Sequence, residues 1–113
     1  IRNIMQNFED INQGKNIAII SYLTIIGSII ALLMNNENKT DFGSFHIRQG
    51  LGINLMYLML SYFVGGFDSW MISISFWVFM FALWIYGFLG AINGEKKESP
   101  IVGAFFQKIF KNI

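Results

Sequence analysis

Three long apolar runs dominate the pattern of hydrophobic and polar positions along this chain. They cover residues 17–34, 51–67 and 70–92, and none of them contains a charged side chain. A helix of about 20 residues rises about 30 Å, which matches the hydrocarbon core of a bilayer. We therefore predict an all-α integral membrane protein with three transmembrane helices, at residues 15–36, 44–67 and 69–93.

The N-terminal stretch has the spacing of an amphipathic helix. Ile4, Met5, Phe8 and Ile11 fall on one helical face, and polar residues fill the other face. We predict a helix over residues 1–14 that ends at Gly14, because glycine is common just after a helix. The helix is interpreted as lying on the bilayer surface, and docking on a partner is the alternative. Residues 1–16 do not have the pattern of a signal peptide.

The C-terminal stretch, residues 99–113, predicts a second interfacial helix. Ser99 is expected at the N-cap and Pro100 at the first helical position. An aromatic face opposite a cationic face is typical of a helix drawn to anionic lipid. The residues expected at this lipid interface are Arg48, Phe105, Phe106, Lys108, Phe110 and Lys111.

The connecting segments carry most of the charge and predict an orientation. The polar segment 35–44 is the expected first loop, and the short turn 65–69 predicts an antiparallel hairpin of the second and third spans. Lysine and arginine are concentrated in the first loop and the C-terminal tail, which places both in the cytoplasm and the N-terminus outside. The expected location is the bacterial cytoplasmic (inner) membrane, with several passes.

Each predicted span has a stripe of polar or small residues. Lipid cannot satisfy an amide or a hydroxyl, so these stripes are expected to face protein or water. We interpret them as packing faces, either toward each other or toward other membrane subunits; the alternative is that the second stripe lines a polar path. The residues are Ser21, Thr24 and Ser28; His46, Gln49, Gly50, Asn54, Tyr57, Ser61 and Gly65; and Gly87, Gly90 and Gly94. Asn54 lies deepest and is expected to bond another helix.

Composition agrees with this class and offers little chemistry. Hydrophobic residues make up 54% and charged residues 13% of the chain, the net charge is +1, and there is no cysteine. A soluble chain carries about 25% charged residues. The single histidine has no neighbours at metal-ligand spacing. We therefore predict no catalytic residue, no metal and no cofactor, with the bilayer as a partner and no nucleic acid.

Three short segments carry a resemblance to a known family. They are Tyr22 to Gly27, Phe45 to Gln49, and Asn93 to Lys96. With these segments the chain resembles small bacterial membrane proteins of unknown function that are Tic20-like, related to the import component of the chloroplast inner envelope. The resemblance implies a role in protein translocation.

The residues of the second segment also allow an interpretation of their own. His46 and Gln49 are three apart and therefore neighbours on a helix. We predict that they tie the loop to the end of the first span, at Asn35 or Asn36, and ligand binding is the alternative.

Two functions follow from these patterns. The first is a non-enzymatic small subunit of a larger membrane complex, acting as an accessory component of protein translocation. The alternative is a homo-oligomeric channel or small transporter, with Asn54, Tyr57 and Ser61 lining the path.

Overall fold

Five helices make up the regular structure of the chain. The computed structural model describes residues 2–37 and 39–113. Its helices are α1 (Arg2–Ser21), α2 (Ile25–Glu37), α3 (Asp41–Val64), α4 (Trp70–Asn93) and α5 (Gly103–Ile109). The predicted all-α class is therefore confirmed. Ile1 of the predicted first helix and Asn38 of the predicted first loop lie outside the described residues.

The first helix does not end at Gly14, as predicted, but continues to Ser21. Gly14 serves close packing instead. A Cβ at this position would lie 2.5 Å from the Thr40 hydroxyl and 2.8 Å from the backbone nitrogen of Gly43. Because such distances are too short for a side chain, the glycine allows the start of α3 to approach α1.

The helices α1 and α2 form a hairpin, so the predicted single helix over residues 15–36 is wrong. The helical hydrogen bonding breaks at residues 22–24. The Thr40 hydroxyl, which packs against Gly14, donates to Asn35 Oδ1 at 3.3 Å. In one straight helix, residues 14 and 35 would lie about 31 Å apart. The first apolar run therefore forms two antiparallel segments joined by a turn.

The start of α3 is fixed by two caps. Thr40 Oγ1 accepts from the Gly43 backbone at 3.0 Å. The Asp10 carboxylate accepts from the backbone nitrogens of Asp41 and Phe42, each at 2.9 Å. α3 thus begins three residues before the predicted position 44, because its first turn is satisfied there. These bonds place the N-terminal segment and the 35–44 region at one end of the molecule, whereas the sequence predicted opposite sides.

The helices α3 and α4 pack as an antiparallel pair, as the short turn 65–69 predicts. Tyr57 stacks on Phe76 near the turn, and Gly90 lies beside His46 at the other end. Within the described residues, α4 is the helix that is both long and apolar enough to cross a membrane. It ends at Gly94, whose φ of 72° closes the last turn.

The C-terminal helix is shorter than predicted, spanning Gly103–Ile109 rather than residues 99–113. Ser99 is not an N-cap, because its hydroxyl donates to the Leu83 carbonyl at 2.8 Å. Ile101 then adopts a φ of 72°, which interrupts the helical path between Pro100 and Gly103.

The described residues bury many polar side chains beside an apolar core, and they expose a largely apolar surface. The buried polar side chains are Ser21, Ser28, Asn35, Thr40, Ser44, His46, Gln49 and Ser99. Large apolar side chains lie on the outer faces of α2, α3 and α4, including Ile26, Met59 and Trp77. Soluble proteins bury fewer polar side chains and expose fewer large apolar ones. This distribution suits a chain whose surroundings are hydrocarbon.

Candidate functional site: a buried polar network

Three side chains from two parts of the fold form the centre of a buried network. Tyr22 comes from the break between α1 and α2, and His46 and Gln49 come from the first half of α3. The Tyr22 hydroxyl and His46 Nδ1 lie 2.6 Å apart. Gln49 Nε2 donates to the same hydroxyl at 2.8 Å. All three are almost fully buried.

The hydrogen bonds assign the proton on the imidazole. His46 Nε2 lies 2.8 Å from the Glu95 carbonyl oxygen, which can only accept, so Nε2 carries a hydrogen. Nδ1 then accepts from the Tyr22 hydroxyl, whose oxygen remains free to accept from Gln49. Every donor in this series of hydrogen bonds has an acceptor when the imidazole is neutral. The network is therefore fully satisfied without a charge.

The same two α3 side chains hold the segment that follows α4. Gln49 Nε2 donates to the Lys97 carbonyl at 2.9 Å, and Gln49 Oε1 accepts from the Ser99 backbone at 2.7 Å. The prediction that His46 and Gln49 bind Asn35 or Asn36 is thus wrong. Asn35 instead donates to the Ser44 hydroxyl at 2.9 Å. The sequence could not show that the chain returns to His46 about 50 residues later.

The break between α1 and α2 leaves backbone carbonyls free, and neighbouring side chains satisfy them. The Ser21 carbonyl accepts from the Ser28 hydroxyl at 2.6 Å and from Asn54 Nδ2 at 3.2 Å. The Tyr22 carbonyl accepts from the Trp84 indole at 2.7 Å. Asn54 also donates to the Ser28 hydroxyl at 2.7 Å. Irregular backbone inside a membrane needs such partners.

Glycines make room for this network. A Cβ at Gly50 would lie 2.5 Å from the Ser21 carbonyl oxygen, and one at Gly87 would lie 2.7 Å from Gln49 Nε2. At Gly90 the nearest atoms would be 3.1 Å away, in the segment after α4. Gly94 lies against Ile11 of α1. The small residues of the predicted stripes therefore lie at close backbone approaches within this chain.

The remaining stripe residues do not join the network. Thr24 is exposed and caps α2, because its hydroxyl accepts from the Gly27 backbone at 3.1 Å. Tyr57 packs on Phe76 and lines a cavity described below. Ser61 donates to the carbonyl of its own helix, at Leu58. Gly65 is exposed at the end of α3.

The residues predicted at the lipid interface divide into two groups. Lys108, Lys111 and Phe105 are exposed, and Phe110 is partly buried. Phe106 is instead buried against Gly52 of α3, because the latter has no side chain to keep the ring away. Arg48 does not extend freely.

Arg48 reaches across to α5 rather than toward a headgroup. One terminal nitrogen donates to Gln107 Oε1 at 3.3 Å, and the other donates to the Lys111 carbonyl at 3.4 Å. Gln107 in turn donates to the Phe45 carbonyl at 2.8 Å. These bonds attach α5 to the start of α3.

Sequence reasoning missed three members of the network: Tyr22, Trp84 and Ser99. Tyr22 and Trp84 lie within apolar runs, where aromatic residues usually pack. A usable signal was Thr24, a good N-cap residue inside an apolar run, since it marks a helix start. Ser99 gave no signal, because its partners are set by tertiary contacts. No group of three or more metal-ligating side chains occurs within residues 2–37 and 39–113.

One comparison with known proteins found a relative of this chain. The chain is similar to a UPF0132 membrane protein of Methanocaldococcus jannaschii, with 30% identity over 92 residues. The match covers 76% of this chain and 61% of the relative, so the chain spans about three fifths of the relative's length. No protein-family profile and no solved structure matches the chain. The relative's name and the apolar helix α4 together support membrane character, and the helices give the class: an all-helical membrane protein.

Proposed function

We propose that this protein is a small, non-enzymatic membrane subunit that associates with other membrane proteins. The observation that carries the proposal is the division of the α3 stripe. Its first half, from His46 to Asn54, is used inside the chain. Its second half, Ser61 and Gly65, lies beyond the tip of the α1–α2 hairpin, and no third helix of the described chain covers it. Small and polar residues on such a face favour packing of a partner helix.

The proposed membrane placement follows from the helix lengths. α3 and α4 each have 24 residues and therefore extend about 36 Å, enough to cross a bilayer. The α1–α2 hairpin reaches the level of Trp84, about 14 Å from the Asn93 end of α4. The chain then has two crossings and one hairpin that enters and leaves on the same side, in place of three crossings.

The proposed orientation rests on the distribution of cations. Lys96, Lys97, Lys108 and Lys111 follow α4, and the 65–69 turn at the other end has no lysine or arginine. This asymmetry supports a placement of the C-terminus, together with the 35–44 region, in the cytoplasm of a bacterium. The Asp10 contacts with α3 support the same side for the N-terminal segment.

The role in protein translocation is the finer part of the proposal, and it rests on the resemblance of residues 22–27, 45–49 and 93–96 to Tic20-like proteins. These three segments meet in the structure. They contain Tyr22, His46, Gln49 and the Glu95 carbonyl, which bond to one another. The resemblance therefore follows the network, and a translocation complex is the partner it suggests.

The channel alternative receives less support from the geometry. A pore-lining Asn54 would present its amide to water, but both of its amide hydrogens are directed to Ser21 and Ser28. Of the three residues expected along the path, this leaves Tyr57 and Ser61.

The test is a pull-down in gentle detergent, with partner identification, comparing two matched variants. Ser61→Leu changes the uncovered α3 stripe, and Ser75→Leu makes the same change on an exposed face of α4. We expect Ser61→Leu to reduce partner recovery at least about threefold, since a small packing residue is replaced by a large one. Ser75→Leu should recover the partner normally.

Two results would contradict the proposed subunit role. Equal recovery with both variants would remove the packing face from the proposal. Solute flux through liposomes that contain the purified chain alone, abolished by Ser61→Leu, would favour the channel instead.

A further inference from the structure

A cavity of about 430 Å³ lies beyond the tip of the α1–α2 hairpin, between α3 and α4. Its walls are mainly apolar and aromatic, and they include Trp77, Phe81 and Trp84. The volume falls in the range of about 300–1,000 Å³ that small-molecule sites occupy. No charged side chain lines the cavity among the described residues. These properties suit an uncharged, largely apolar occupant.

Polar atoms are nevertheless present in the wall. Asn54 uses both hydrogens of its amide nitrogen, but within the described chain its Oδ1 accepts no hydrogen bond. The Tyr57 hydroxyl likewise has no partner in that part of the chain, although its ring is held by Phe76 and Trp77. Because Asn54 and Tyr57 both line the cavity, it has an amide oxygen able to accept and a phenol able to donate.

The depth of the cavity excludes phospholipid headgroups as partners. Trp84 and Trp77 lie about 14 and 24 Å from the Asn93 end of α4, which brackets the middle of a 30 Å hydrocarbon core. Unpaired carbonyl and hydroxyl groups at that depth carry a free-energy cost, because hydrocarbon supplies neither donors nor acceptors. A ligand that reaches the bilayer centre and carries its own polar group removes this cost.

We propose that this cavity binds an uncharged, lipid-soluble molecule with a hydroxyl group on an apolar body. The ligand hydroxyl donates to Asn54 Oδ1 and accepts from the Tyr57 hydroxyl, while the aromatic walls contact its apolar part. The inference uses the membrane placement given under Proposed function. It does not depend on a partner subunit, so a failed pull-down leaves it standing.

The experiment measures tryptophan quenching in purified chain reconstituted into lipid nanodiscs. The background variant Trp70→Phe limits the emission to Trp77 and Trp84, both at the cavity. The probes are a long-chain alcohol brominated near its hydroxyl end and the bromoalkane of the same length. We expect saturable quenching, with half-saturation by the alcohol at an about three- to tenfold lower mole fraction, the effect of one or two hydrogen bonds.

A matched pair of variants tests the polar contact. Tyr57→Phe removes the hydroxyl and retains the ring, so it should reduce the preference for the alcohol, because the bond to Asn54 Oδ1 remains, and leave quenching by the alkane unchanged. Tyr86→Phe makes the same change outside the cavity and should retain the preference. Circular dichroism of each variant verifies that the helices are intact.

Three results would overturn the proposal. The first is equal quenching by the alcohol and the alkane. The second is an alcohol preference that is undiminished in Tyr57→Phe. The third is equally strong quenching by a phospholipid brominated in mid-chain, which would identify the occupant as an ordinary acyl chain of the bilayer.

Discussion

Gly87→Ala should destabilise the fold, because Gly87 lies where α4 meets the Tyr22–Gln49 pair. A Cβ at this position would lie 2.7 Å from Gln49 Nε2, 2.8 Å from Tyr22 Cε1 and 2.9 Å from the Tyr22 hydroxyl oxygen. Real Cβ atoms do not approach other heavy atoms so closely, so the added methyl group must displace one of the two side chains.

The magnitude follows from what the displacement breaks. The bonds at risk are Gln49 to Tyr22 and Tyr22 to His46, at 2.8 and 2.6 Å. Overpacking costs about 1–3 kcal/mol, and each lost hydrogen bond costs about 1 kcal/mol. Replacing glycine by alanine within a helix returns up to about 1 kcal/mol. We therefore expect Gly87→Ala to lower the free energy of unfolding by about 2–3 kcal/mol.

Gly90→Ala is the matched control, one turn along the same helix. Its Cβ would lie 3.1 Å from the Glu95 carbonyl oxygen and from Lys97 Cβ, which small shifts of the connecting segment can relieve. The gain in helix propensity is the same for both variants, so their difference isolates the close contact. We expect Gly90→Ala to be more stable than Gly87→Ala by about 2 kcal/mol.

The assay is reversible unfolding in mixed micelles of a mild detergent and sodium dodecyl sulfate, followed by circular dichroism. A difference of less than about 0.5 kcal/mol between the two variants would refute the reasoning, because surface substitutions alone vary by that amount. It would mean that Tyr22 and Gln49 have room to move.

Two further predictions concern topology and the C-terminal helix. The chain has no cysteine, so single cysteines can report the side of the membrane on which a residue lies. Gln6→Cys and Asn112→Cys should react with an impermeant maleimide from one side of sealed vesicles, and Asp68→Cys should react from the other side. Labelling of Gln6→Cys and Asp68→Cys from the same side would contradict the hairpin. Gly52→Ala should displace the Phe106 ring that packs on it, so that trypsin cleaves the C-terminal segment several times faster than in the unmodified chain. Unchanged cleavage would show that α5 does not depend on this contact.

The sequence predicts which segments are helical better than it predicts where a helix turns back. The length of the apolar run predicts the bounds of α4 to within one residue, because a long uncharged segment in lipid is most stable as one helix. The same rule fails for the first run, because length and hydropathy do not distinguish a crossing helix from two shorter helices that turn back. The turn at residues 22–24 contains neither glycine nor proline, and Thr24 is its one local signal.

The polar site was predictable in part. The spacing of His46, Gly50 and Asn54 predicts one face of α3, and these residues do lie together in the structure. The hydrogen-bond partners of His46 and Gln49 were not predictable, because they are the backbone carbonyls of Glu95 and Lys97. Every residue has such a carbonyl, so the amino-acid sequence does not mark these two. Gly14 illustrates the same limit. Glycine marks a helix end or a close contact equally well, and only tertiary packing decides.

The short reach of the α1–α2 hairpin has a consequence for the cross-section of the protein. In the proposed placement, all five helices lie at the Asn93 end of the molecule, and of the helices that the structure describes α3 and α4 continue into the opposite leaflet. This placement makes the described part of the chain a wedge, broad at one membrane surface and narrow at the other. Lipids around its narrow end must fill more area than those around its broad end, which favours a membrane that bends away from the broad end.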